Sequence, residues 1–240
     1  MIKYIIFSSI FLGIISCNSG KKSYSDNHAY QDVKVVGAMK NVMWKGELGG
    51  NFNLDTVVMK KGLYGLGPES NLTGELLVMD GRSYVSRVTS DTTMKVNETF
   101  DVTAPFFVYS YVNEWREVEL PSGIKTIQNL EKFIDSKTVE YKRPFAFKLK
   151  GKATNAIIHV QNLPVGTKVT SPTEAHQGQI NYPLKDALID VVGFFSTEHK
   201  GVFTHHDSFL HMHLITQDGS QMGHLDELEI ENMNLYLPIK

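Results

Sequence analysis

Cysteine is nearly absent: Cys17 is the single thiol in 240 residues. One cysteine forms no intramolecular disulfide and no cysteine-built metal cluster. Basic charge is not in excess either, since 24 Lys and Arg meet 26 Asp and Glu for a formal net charge of −2. Non-specific nucleic-acid binding needs a surface that neutralises phosphates, and this balance offers none. No apolar run approaches the ~20 residues that cross a bilayer as a helix. A nucleophile elbow of the Gly-x-Ser-x-Gly kind is missing. The glycines of 62–68 (GLYGLGP) lack the Lys-Ser/Thr of a phosphate loop and the strand–helix setting of a dinucleotide site. They read instead as tight backbone turns near a pocket. Disorder is excluded in turn, because 42% of residues are apolar and 10% aromatic. The length suits one large domain or two small ones, enough to bury a proper core.

Residues 1–17 (MIKYIIFSSIFLGIISC) carry one cation, Lys3, then an apolar run and a small Ser16, the layout of a secretory signal. Ile14-Ile15-Ser16-Cys17 resembles the bacterial lipoprotein lipobox. That resemblance implies an acylated Cys17 as the mature N-terminus and a lipid-anchored protein of the cell envelope. Acyl chains hold through about 0.8 kcal/mol per buried CH₂. Residues 18–32 (NSGKKSYSDNHAYQD) have almost no aliphatic side chains and read as a flexible tether. Random-coil scaling sets the following domain, 33–240, about 20 Å from the membrane.

From residue 33 short β-branched and aromatic runs alternate with Gly, Pro, Asn and Asp. Glu75–Asp80 closes on Gly81 before 83–88, and Asp-Gly between two such runs is a hairpin signal. Further strands are expected at 106–112, 145–149 and 156–160. Ile127, Leu130, Phe133 and Ile134 fall on one helical face of 125–136. Leu184, Leu188, Val191 and Val192 do so for 183–192, with Pro183 suited to a first turn. Asn53–Met59 is expected as a third, shorter helix. The polar stretch 161–182 reads as a connection between two sub-domains. These elements predict an α+β class dominated by sheet.

Six of the nine histidines lie between 199 and 224. His211 and His213 alternate with Leu210, Met212 and Leu214, so both imidazoles project from one strand face, about 7 Å apart by strand rise. Two ordinary histidines on a wet face would explain that pair alone. Asp218-Gly219 and Gly223, however, let the chain turn back and deliver His224 as a third nitrogen. Three histidines leave a coordination position open, the catalytic rather than the structural zinc pattern. His205-His206 could join them, although loop histidines are commonly solvated. His199 reads as a loop residue and His28 belongs to the tether.

Two segments then carry a resemblance. Tyr64-Gly65-Leu66-Gly67, Leu72-Thr73-Gly74-Glu75-Leu76 and Met79-Asp80-Gly81 form the first. His211-x-His213-Leu-Ile-Thr216-x-Asp218, Gly223-His224 and Leu225-Asp226 form the second. In order and spacing they resemble bacterial α-acetolactate decarboxylases over roughly residues 34–235. The resemblance implies two related α+β sub-domains with mixed sheets, a homodimer, and conversion of 2-acetolactate to acetoin and CO₂. It also implies zinc on His211, His213 and His224, with Glu75 as the motif glutamate. A hydroxy-keto acid chelates zinc through its hydroxyl and ketone oxygens, and the Lewis acid stabilises the enediolate left by CO₂. A carboxyl beside the metal, here Glu75, returns the proton or orients the substrate.

The chain departs from that pattern at three points. Gln161 stands where the family has an arginine for the substrate carboxylate, and an amide forms no charged fork. His159, two residues earlier on the same face, is the candidate replacement cation. Pro68 stands where the family has a threonine, and Lys240 ends this sequence before the family's C-terminal glutamate. An enzyme acting on acetolactate or a related hydroxy-keto acid is favoured by the intact triad and Glu75. A non-catalytic zinc- or small-acid-binding lipoprotein of the same fold is favoured by the departures. An open three-histidine site also permits ester or amide hydrolysis by zinc-bound water, which no residue specifically favours.

Overall fold

A computed structural model describes Met1 and residues 32–239 of the chain. The leader beyond Met1, with Cys17, and all of the tether but its last residue lie outside the described residues. Among the described residues no helix is long and apolar enough to cross a membrane.

The first half contributes β1 (Lys34–Val36), α1 (Met39–Lys45), β2 (Phe52–Asn53), β3 (Leu63–Pro68), β4 (Glu75–Met79), β5 (Arg82–Ser90), β6 (Thr93–Glu98), β7 (Thr103–Ala104) and β8 (Phe107–Tyr111). Six of these strands form one sheet in the order β1-β8-β3-β4-β5-β6, and β2 pairs with β7 as a separate ribbon. The second half contributes β9 (Trp115–Glu119), α2 (Ile127–Lys137), β10 (Phe145–Val160), α3 (Pro172–Ala175), β11 (Ile180–Phe195), β12 (Leu210–Thr216) and β13 (Met222–Pro238). Here the order is β10-β11-β12-β13-β9, and β13 also pairs with β10. The strands β10 to β13 therefore close on themselves. Every pairing between named strands is antiparallel, which corrects the mixed sheets that the resemblance implied. Short hairpins account for it: Asp80 and Gly81 both adopt positive φ, 48° and 78°, the backbone of a type I′ turn.

Alternation decides which core each side chain enters. Leu210, Met212 and Leu214 of β12 pack inside the closed strands with Phe147, Leu149, Ile189 and Leu235. Leu77 and Tyr64 of the first sheet meet Val192, Phe194 and Ile215 of the second in a layer between the sheets. The helix expected at 125–136 is α2, capped by the Thr126 hydroxyl, with Leu130 and Ile134 fully buried against the closed strands. Burying each such side chain contributes roughly 1.5–3 kcal/mol.

Other expectations need correction. Residues 183–192 are strand, the middle of β11. Leu188 is 54% exposed, whereas Tyr182, Leu184, Ile189 and Val191 are buried. The alternation shifts phase at Asp186, whose φ is 51°, and the two phases together imitate helical spacing. Pro183 is tolerated because residues 180–188 pair only with β10, leaving an edge that needs no donor. Asn53–Met59 contains only a single 3₁₀ turn, Leu54–Thr56, in which the Asn53 side chain accepts the Asp55 N–H. Such local bonds compete with a longer helix. The glycines of 62–68 lie largely within β3 rather than in turns. A Cβ on Gly65 would sit 2.5 Å from the Phe107 ring, so the position serves close packing. The chain passes between the sheets at 112–114, and 161–179 joins two strands of the second sheet while carrying α3.

Candidate metal centre

Strand register assembles the histidines. His213 pairs with His224 across β12 and β13, and His224 pairs with His159 across β13 and β10. Directly opposed residues share a face, so three imidazoles stand side by side on three neighbouring strands. His211 lies on that same face by alternation. Gly223 makes the approach feasible: a Cβ there would lie 2.4 Å from the His159 carbonyl oxygen. The turn returning β13 is held by the Thr216 hydroxyl, which donates to Asp218 Oδ1 at 2.6 Å, and by the Ser220 N–H at 3.0 Å. The same bonds hold the Asp218 carboxyl down at about 2.

One ring nitrogen from each of His211, His213 and His224 lies within 4.8 Å of the other two. All three residues are buried. Burial pushes the His213 pKa down to about 3, and neighbouring imidazoles add to the effect. His211 and His224 are held well below the usual histidine range for the same reasons. Neutral imidazole is the form that ligates a metal. Neither ring nitrogen of His213, nor His211 Nδ1, has a partner in good hydrogen-bond geometry; the Leu76 and Phe203 backbones lie near enough to favour the protonated rings only weakly. A divalent ion takes up one nitrogen of each ring, so three neutral imidazoles converging with one nitrogen apiece fit such an ion.

Glu75 opens β4 on the face that Leu77 turns toward the second sheet. Its oxygens lie 3.7 Å from His213 Nε2 and 3.8 Å from His159 Nε2. Burial raises its pKa well above the carboxylate range, opposed by the Gln161 backbone N–H and reinforced by Asp226 and Glu69. Glu69 anchors the turn before it: Arg87 Nε donates to Glu69 Oε2 at 2.7 Å, and the Thr73 hydroxyl donates to the same oxygen at 3.1 Å.

His159 and Gln161 both reach this place. The His159 ring stacks on His224 with centroids 4.6 Å apart, and its Nδ1 lies 2.7 Å from Asp226 Oδ2. Gln161 is buried; its Nε2 donates to Gln179 Oε1 at 3.4 Å and its Oε1 has no partner. Pro68, Glu75, His159, Gln161, His211 and His224 surround a cavity of about 30 Å³.

Three participants were not read from the sequence as site residues. Asp226 lies two positions beyond His224 and so shares its face, a signal that was available. His205, left open as a loop residue, brings its Nε2 to 3.1 Å from His224 Nε2. His176 follows α3 and places its ring 6.4 Å from that of His159; nothing in the pattern marked it. His206 is exposed, while His199 bonds to Ser196 Oγ at 2.7 Å and packs on Phe203.

The sequence profile described as "Alpha-acetolactate decarboxylase" matches residues 36–239. The alpha-acetolactate decarboxylase of Brevibacillus brevis is 25% identical over 217 residues, 90% of this chain and 73% of that protein. Its counterpart in Lactococcus lactis subsp. cremoris is 26% identical over 202 residues, 82% of this chain and 76% of that protein. The fold is shared with the acetolactate decarboxylase of Bacillus subtilis subspecies spizizenii at a TM-score of 0.70 and 22% identity, covering 88% of this chain and 87% of that one. A Staphylococcus aureus protein of unknown function, described as similar to alpha-acetolactate decarboxylase, gives a TM-score of 0.70 at 17% identity, with 85% and 84% covered.

Proposed function

The chain belongs to the alpha-acetolactate decarboxylase family, and on that premise we propose that it releases CO₂ from 2-acetolactate at a zinc ion held by His211, His213 and His224. Membership makes it a carboxy-lyase. The observation that carries the finer reading is a buried, neutral histidine trio with a buried carboxyl, Glu75, 3.7 Å from one of its nitrogens. A divalent ion on those nitrogens supplies Lewis acidity to charge developing on substrate oxygens.

The chain's own groups do the rest. When the bond to CO₂ breaks, its electron pair stays on the carbon bearing the hydroxyl, and that carbon must gain a proton to give acetoin. Glu75, kept protonated by burial, holds that proton on its carboxyl. Asp226 accepts Nδ1–H from His159, which fixes the tautomer and presents Nε2 toward Glu75 as the acceptor through which the proton is restored. Gln161 offers the substrate carboxylate a neutral amide donor. Without a guanidinium the ground state loses a contact of about 1.5–3 kcal/mol.

Incubating the metal-loaded full chain with 2-acetolactate tests this reading. Chelator-sensitive acetoin formation, lost in His211→Ala, is the expected result. One bound metal with no turnover would overturn it in favour of a binding protein, the reading that Gln161 and the small cavity favour. We also propose, from the lipobox alone, that Cys17 is acylated in the cell envelope; Cys17→Ser should then release the protein from the membrane fraction. The homodimer implied by the family is a further proposal, checked by mass in solution.

A further inference from the structure

The loop between β11 and β12 sends a further imidazole into the histidine cluster. His205 Nε2 lies 3.1 Å from His224 Nε2, and its ring centroid is 5.0 Å from that of His224 and 6.1 Å from that of His211. The loop is pinned on both sides of this residue. The Met39 and Lys40 N–H groups of α1 donate to the carbonyls of Val202 and Gly201 at 2.7 and 2.9 Å. Glu131 of α2 accepts from the Ser208 hydroxyl at 2.8 Å and from the Phe209 N–H at 2.7 Å. Between these anchors one histidine of the pair turns inward and the other, His206, faces solvent.

Two nitrogens that each ligate one tetrahedral ion at 2.0–2.1 Å stand about 3.4 Å apart. The His205–His224 separation is close to that spacing, whereas His205 stands outside the 4.8 Å group of the other three, so ligation requires its side chain to turn further inward. We propose that His205 is a fourth, displaceable ligand of the ion read above onto His211, His213 and His224, and the proposal rests on that reading. Four imidazoles make a closed site of the structural kind, whereas three with an open position make a catalytic one. The cavities argue for displacement. The space beside Glu75, about 30 Å³, has room for only two or three waters. On the other side of the same imidazole lies a cavity of about 260 Å³, bordered by His205, His224, Asp226, Glu131 and Ser208. Withdrawal of His205 opens a coordination position and joins the two spaces. A hydroxy-keto acid with two oxygens to offer competes directly with this imidazole. Resting protein therefore holds its ion more tightly than a three-histidine site does.

The test uses the full chain, stripped with chelator and titrated with Co²⁺, whose visible absorption reports coordination number, and with Zn²⁺ against a chromophoric chelator. Wild type should show the intense bands of a four-coordinate ion. In His205→Ala the bands should fall several-fold and the Kd for Zn²⁺ rise by at least the 10–100-fold typical of losing an outer-shell partner. Added imidazole should restore the bands, and His206→Ala should match wild type. An unchanged spectrum and affinity in both His205→Ala and His205→Asn would overturn the proposal, leaving His205 as a hydrogen-bond partner of His224. Failure of wild type to bind either ion would overturn the three-histidine reading and this proposal with it. The two failures differ in whether wild type binds metal.

Discussion

Acidifying the metal-free protein exposes what it costs to bury these histidines. The unfolded chain takes up a proton on each histidine near pH 6.5, whereas His211, His213 and His224 remain neutral in the fold, His213 down to about 3. Below the unfolded pKa the unfolded state is therefore richer by three protons, and stability falls with pH at about 1.4 kcal/mol per unit for each. Glu75 has the opposite sign. Its raised pKa keeps it protonated in the fold while the unfolded chain has ionised it, which removes one proton from the difference. Two remain, a slope of roughly 2.7 kcal/mol per pH unit between about pH 6.5 and the unfolded carboxylate range. His205, shifted downward as well by burial, steepens it. Urea unfolding in chelator at about pH 7.5 and about pH 5.5 should show a midpoint lower by about 0.5 M at the acid end, for a slope near 3 kcal/mol per M, because Glu75 acts against the histidines across the whole interval. Saturating zinc, at about 1,000 times its Kd, should add about 4 kcal/mol at the higher pH. That increment should persist at about pH 5.5, because the folded nitrogens are still neutral there and protons do not yet compete for them. A chelated midpoint equal at both pH values would refute the reasoning, because it would mean that the histidines protonate within the folded chain.

Glu75→Gln keeps the shape and removes the proton donor, so kcat should fall about 10²–10⁴-fold with metal content unchanged; metal loss would instead make Glu75 a ligand. His159→Ala should lower kcat about 10²-fold or more through loss of the relay to Asp226. If neither kcat nor substrate affinity changes, His159 is neither relay nor carboxylate anchor. Gly223→Ala forces a Cβ against the His159 carbonyl, an overpacking of about 1–3 kcal/mol. It should also weaken metal binding, checked by thermal melts with and without zinc.

Local pattern revealed the parts of the site that local geometry makes. His211 and His213 are read from a period of two, because β12 is a plain strand whose alternate residues fill the core inside the closed strands. Asp80-Gly81 is read from its turn chemistry. The helix wrongly expected at 183–192 shows where local pattern fails. Positions 184, 188, 191 and 192 satisfy helical spacing only because Asp186 shifts the phase of alternation, and because β11 is buried on both faces from Val191 to Phe195. A strand buried on both faces has no polar side to reveal its period.

The remainder of the site is long-range register, which no short window contains. His159 meets His224 only because β10 and β13 pair across irregularities at Lys152/Ala153, Ala153/Asn155 and Ile157/Ile158. A slip of one residue would turn His224 toward the inner core and bring Leu225 to the metal face. The sequence guards against that slip from both sides. Leu225 and Leu228 fill the closed-strand core, and Gly223 is the residue that tolerates the His159 carbonyl at its Cβ position. The constraint that holds β13 in register therefore also brings His224 between His213 and His159, so hydrophobic packing and the proposed metal chemistry select the same alignment.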